Sequence, residues 1–306
     1  MELSAEDALR LNVLLANDLY AFRIDESAMT LYGFSERGES RVRLNPTCRD
    51  ETYIRRVREA LSSHVLGSPG GYPIYLRRWT RMGQARDDSL EKLLLLGEPE
   101  AVVAVVHAPG LTDELARRAW WAMPTADNAR KMLTRDTVAR GSMGPVLAQY
   151  LIDYLPFEEE HHAMIESVRL ILQPGLVDAD TRLRIWNKAR SKNTYYVGFL
   201  LAIPDELPEP EPAHPARDDV RQRLIELMTR GNVYARLLHR LLDTPGQTFL
   251  KTAETVLRSL GDAKAWRNAL NILLYRKYLA DASADMPERK SLADWYHRAN
   301  MKLYVK

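Results

Sequence analysis

The sequence predicts a mainly α fold. Short stacked helices, in the manner of HEAT or armadillo repeats or of a less regular α-solenoid, carry a small N-terminal three-stranded β-meander. Three observations predict it. From Asp88 onward, proline and glycine punctuate the chain at Gly97-Glu98-Pro99, Pro109-Gly110, Met123-Pro124-Thr125, Gly144-Pro145, Pro156, Pro174-Gly175 and Pro204. Proline inside a helix costs about 3 kcal/mol, so these positions read as helix ends. Residues 93–204 also write one pattern twice: an apolar run, a Pro-Gly-Leu break (109–111 and 174–176), an arginine-bearing helix reaching Trp120 or Trp186, and a closing apolar run. The tryptophans align only after a one-residue slip. Between Tyr20 and Leu44, finally, short β-favouring runs alternate with turn composition. An irregular α-helical domain is the alternative.

Taken in order, Ser4 and Asp7 form a capping-box pattern opening a helix to about Asn17, with Ala8, Leu11, Leu14 and Leu15 on its buried side. Phe22–Ile24, Met29–Phe34 and Arg41–Leu44 are the strand candidates, separated by Asp25-Glu26-Ser27 and by residues 35–39. Such a meander is marginal alone and needs flanking helices to cover it. Thr47 with Asp50 reads as a second capping box, before Ile54, Val57, Leu61 and Val65 at helical spacing and a stop at Gly67. Ser68 to Pro73 is a tight turn, and a short helix from Pro73 to Met82 follows. The segment Ile203 to Pro215, rich in proline and carboxylates, reads as a stiff, solvated connection. Beyond it, helices are expected over 216–228, 233–242, from about 246 to 260, from 261 through 278, and from Pro287 onward. The domain organisation is therefore 1–87 (helix, meander, arginine-rich helices), 88–203 (helical repeats), 204–215 (linker) and 216–306 (a C-terminal helical region).

Composition narrows the function. The 43 basic and 41 acidic side chains nearly cancel, which excludes a polyanion-binding character for the chain as a whole. A single cysteine, Cys48, excludes an internal disulfide, a cysteine-based zinc site and a CxxC redox pair. The acidic start and the lack of any long apolar run predict a soluble, cytoplasmic protein with no membrane association. No phosphate-loop, dinucleotide, nucleophile-elbow or zinc-protease motif occurs, so no catalytic residue, metal or cofactor is expected. His161-His162 cannot converge on one ion, because adjacent helical residues point about 100° apart.

Charge distribution is more suggestive. Residues 37–86 hold eleven arginines and no lysine against Glu39, Asp50, Glu51 and Glu59. Arg55, Arg56, Arg77, Arg78 and Arg81 are its candidate contacts for an acidic partner or a nucleic-acid backbone, since the guanidinium fork fits carboxylate and phosphate. A second cluster, Arg182, Arg184, Lys188, Arg190 and Lys192, precedes Tyr195-Tyr196, a basic and aromatic mixture used by single-strand binders. The competing reading is that the acidic linker or other helices neutralise these surfaces. The tryptophans read as packing residues whose indole N–H groups bond near helix ends. Cys48, at a predicted helix start, is a candidate persulfide carrier or an inert thiol.

Several strings resemble the DsrS family: Glu36-Arg-Gly-Glu, His64-Val-Leu-Gly-Ser-Pro-Gly-Gly-Tyr-Pro, Arg78-Trp-Thr-Arg-Met-Gly-Gln-Ala-Arg-Asp, and the block from Leu93 to Pro124. The resemblance covers most of the chain up to the acidic linker. It implies a cytoplasmic accessory protein encoded beside the dissimilatory sulfite reductase system of sulfur-oxidising bacteria, without known cofactor or defined catalytic residues. A role in controlling expression of the sulfur-oxidation proteins has been considered for the family. The expected function is therefore a non-enzymatic accessory or scaffold protein acting on protein partners of sulfur oxidation. The alternatives are an RNA- or DNA-binding regulator and a persulfide relay through Cys48.

Overall fold

A computed structural model describes residues 3–67 and 87–258. The turn expected at Ser68–Pro73, the helix after it with Arg77, Arg78 and Arg81, and the helices expected beyond residue 260 lie outside the described residues. Contacts divide the chain into two compact units, Met1–Pro156 and Phe157–Lys306.

In the first unit, α1 (Ala5–Leu15) leads into β1 (Leu19–Asp25), β2 (Thr30–Ser35) and β3 (Gly38–Arg43), an antiparallel meander in the order β1-β2-β3. Its turns form as their chemistry requires. Asp25 Oδ1 accepts from Ser27 Oγ and the Ala28 amide, and Gly38 takes φ 105°, a value that favours glycine. Helix α2 (Asp50–Leu66) ends on left-handed Gly67. Thr47 is not its cap: the helix starts two residues later, with Arg49 at the cap position and no side-chain cap bond. One face of the sheet is closed by α1 and α2 through Leu11, Leu14, Phe22, Leu31, Leu44, Tyr53, Ile54, Val57 and Leu61.

Then come α3 (Asp87–Leu94), α4 (Pro99–His107), α5 (Asp113–Ala122), α6 (Ala126–Leu133), α7 (Asp136–Ala139) and α8 (Met143–Tyr154). The expected breaks hold. Pro99 opens α4 in its first turn, and Pro145 is third in α8, where its missing N–H would be unsatisfied anyway. Helix α5 lies against β1 on the other face of the sheet. Asp113, in its first turn, reaches across to the start of α8. Its carboxylate accepts from Ser142 N (2.9 Å), Ser142 Oγ (2.6 Å) and Met143 N (3.0 Å).

The second unit contains α9 (His161–Ile171), α10 (Ala179–Ala189), α11 (Thr194–Ala202), α12 (Arg217–Thr229), α13 (Val233–Leu242) and α14 (Thr244–Arg258). Helix α11 is its centre, buried from Tyr195 to Leu200 and packed by α9, α10 and α14. Gly198 permits α9 to approach closely, for a Cβ there would stand 2.6 Å from the Val168 side chain.

The doubled pattern has a structural counterpart. Trp120 and Trp186 are each the eighth residue of their helix, so the slip falls in the turn, ahead of the caps Thr112 and Asp178. Each indole packs edge-on to a tyrosine of its closing helix at 4.7 Å, Trp120 on Tyr150 and Trp186 on Tyr196. The first copy inserts α6 and α7 before that helix, and α8 packs chiefly on α6, whereas α11 packs chiefly on α9. The copies share a turn and an aromatic clasp, with different helix pairings around them.

Candidate functional site

The predicted basic residues separate into those already engaged and those that are not. Arg182 pairs with Glu206 at 3.6 Å, and Arg190 with Glu209, whose other oxygen accepts from Trp186 Nε1 at 3.2 Å. Arg184 donates to Thr181 Oγ1 at 2.7 Å. Lys188 is exposed, and Lys192 is half-buried.

The carboxylates come from the segment read as a solvated linker, which instead straps onto the helices. Leu207 is buried, Asp205 pairs with Arg240, and the Glu211 and His214 amides bond to Thr248 Oγ1 and the Leu242 carbonyl. Glu209 adopts φ 59° to make its contacts. Tyr195 and Tyr196 are buried at 2% and 7% exposure, and burial pushes both hydroxyls above the usual tyrosine range. They fill the core and offer no stacking face.

In the first unit, Arg55 faces solvent and lies 3.9 Å from Glu59. Arg58 is tied to Glu26 at 2.7 Å. Arg56 donates to Cys48 Sγ at 3.3 Å, and this thiol is half-buried.

On the outer face of the sheet, Arg117 lies over Phe34, Arg118 over Tyr20, and Arg23 between Tyr32 and Trp121. Trp121 stacks on Phe34 at 5.0 Å. Glu39 accepts from Arg23 and from Trp121 Nε1, while Glu114 takes both Arg117 and Arg118. Those guanidinium bonds, Arg117 foremost, hold Glu114 at about 2, well below the usual carboxylate range. With Glu91 on Arg118 at 3.2 Å, this network is internally neutralised.

What remains is the rim of the meander. Helix α1 and strand β3 border an open groove of about 1120 Å³, lined by Leu9, Val13, Leu14 and Val42 and by Arg10, Arg41 and Arg43, with no carboxylate in the lining. Leu9 and Val13, one helical turn apart, are 66% and 62% exposed. Arg41 and Arg43 are exposed and have no ion-pair partner among the described residues. Arg10 is held by Glu6 at 2.5 Å and also donates to the Arg43 carbonyl at 3.4 Å. Arg41 and Arg43 belong to the arginine-rich block, but spacing did not single them out. The signal was the strand alternation, which sets them on one face of an edge strand.

Nothing in the groove pairs an acid with a base. Among the described residues no group of three or more His, Cys, Asp or Glu is placed to hold a metal, and His161 and His162 are both exposed at the start of α9. Also among them, no helix is long and apolar enough to cross a membrane. Compared with known proteins, the chain matches no protein-family model, no curated protein and no solved structure, so the reading of this site stands on its own residues.

Proposed function

We propose that this chain is a non-enzymatic accessory protein of bacterial sulfur oxidation, acting by protein–protein contact at the groove between α1 and β3. The groove carries the reading: exposed Leu9 and Val13 beside unpaired Arg41 and Arg43 offer apolar area and charge together, the mixture of a protein-binding patch. The sulfur-oxidation setting is supported by the strings that resemble the DsrS family, all of them between residues 36 and 124. A photo-crosslinking side chain placed at Val13 tests the proposal in cells oxidising stored sulfur. The expected result is a discrete adduct with a protein of that machinery. Its absence, or adducts with RNA alone, would overturn it.

One contact favours a second reading, a persulfide carried on Cys48. The Arg56 guanidinium at 3.3 Å from Sγ is placed to steady an anionic sulfur. Loading with a sulfane-sulfur donor should then add a single sulfur, about 32 Da, at Cys48 and less of it after Arg56→Gln. An unmodified thiol refutes this route.

A further inference from the structure

We infer that the outer edge of β3 accepts a fourth strand: an extended segment of a partner protein in which apolar residues alternate with Asp or Glu. This rests on the groove as the protein-contact site and names what fills it. Among the described residues, β3 is the last strand of its sheet. The Leu44 N–H, bonded to the Met29 carbonyl at 2.8 Å, fixes the phase of the ladder. Residues 44, 42 and 40 bond inward to β2, so the backbone groups of Glu39, Arg41 and Arg43 face outward. Arg10 already reaches the outward carbonyl of Arg43, at the long distance of 3.4 Å, which an incoming peptide N–H would improve on.

The pleat then sets the alternation. Val42 pairs with Leu31 and belongs to the face packed by α1, next to Leu9 and Val13. Arg41 pairs with Tyr32, and Arg43 with Thr30, on the opposite face. An added strand continues the pleat, so its alternate residues fall beside the exposed leucine and valine, and those between them beside two unpaired guanidinium groups. The one carboxylate of β3, Glu39, is turned to Arg23 and Trp121 and leaves the charge of Arg41 and Arg43 unanswered. A second copy of β3 is a poor occupant, because pairing like edges would set arginine against arginine. A nucleic acid would use the arginines but gain nothing from Leu9 and Val13.

A fluorescein-labelled Val-Glu-Val-Glu-Val-Glu-Val peptide, titrated against the full chain by anisotropy, tests this. Saturable binding is expected, weakened about tenfold or more by the double change Arg41→Glu, Arg43→Glu and likewise by Val13→Asp. Binding should be lost when alternate peptide nitrogens are methylated, since strand addition needs those donors. All three substituted side chains lie at the surface, and circular dichroism checks that the variants fold. Equal binding of the methylated peptide, of a Val-Lys counterpart, or by the charge-reversed protein overturns the inference. So does a single-stranded oligonucleotide bound through the same arginines, or a dimer that protects Arg41. A Val13 cross-link to a protein in cells without any peptide binding refutes strand addition alone, whereas absence of the cross-link refutes the groove as a contact site.

Discussion

Asp7 joins α1 to α2 through a buried hydrogen bond. Ser4 caps α1 as its spacing predicts, accepting from the Asp7 amide at 3.1 Å. The reciprocal half of the capping box does not form. Asp7 is 1% exposed, and its Oδ2 instead accepts from Tyr53 Oη at 2.5 Å and the Asn45 amide at 2.7 Å, tying α1 to the start of α2. A local pattern cannot show that choice, because Tyr53 lies forty-six residues away. Losing a bond to a buried carboxyl group costs about 1–3 kcal/mol, and Tyr53→Phe is expected to lower stability by that amount in denaturant titration. Burial, then the bond to Asp7, raises the Tyr53 hydroxyl above its usual value of 10. The folded chain therefore keeps this proton where the unfolded chain has lost it. The associated stability is complete below pH 10 and lost as pH rises through the folded value. Tyr53→Phe should flatten that alkaline decline, leaving the part due to Tyr195 and Tyr196, which are raised by their own burial.

Among elements, helix ends were the most legible feature. Val233–Leu242 was readable to the residue, and the Pro-Gly breaks all fall at turns or in first turns. Partners were less legible. The carboxylates of 204–215 looked solvated because sequence shows their charge without the Arg182, Trp186 and Arg190 that receive it. The same contacts remove Arg182 and Arg190 from the candidate surface. Gly198 was silent for the same reason: no spacing shows that α9 crosses at this point. Replacing glycine by alanine inside a helix ordinarily gains about 1 kcal/mol. At Gly198 the new methyl would meet Val168 at 2.6 Å and the Ile165 carbonyl at 3.1 Å, and overpacking of this kind costs about 1–3 kcal/mol. Gly198→Ala is therefore expected to destabilise the protein, against helix propensity, with the loss relieved by Val168→Ala in a double-mutant cycle. A stabilised Gly198→Ala protein would mean that α9 and α11 separate freely.

For the whole molecule, 43 basic side chains nearly cancel 41 acidic ones; ion pairs such as Arg182–Glu206 answer charge locally, while composition alone conceals the groove at β3. Exposed pairs of this type contribute little each, so apolar burial within the units carries the stability. Among the described residues each unit has a core of its own. One gathers Phe22, Leu31, Tyr53 and Ile54 between the sheet and α1–α2, and the other surrounds Tyr195, Phe199 and Leu200 on α11. A chain with two compact units, each holding its own core, is a poor candidate for a single two-state transition. Scanning calorimetry is expected to resolve more than one unfolding step, and the substitutions argued above assign the steps. Tyr53→Phe should lower the midpoint of one transition and leave the other in place. Gly198→Ala should do the reverse. A change of about 1–2 kcal/mol in a unit of this size shifts its midpoint by roughly 2–8 °C, large enough to separate the two. One transition moved equally by both substitutions would show that the cores unfold together, and the division at Pro156 would then have no thermodynamic meaning.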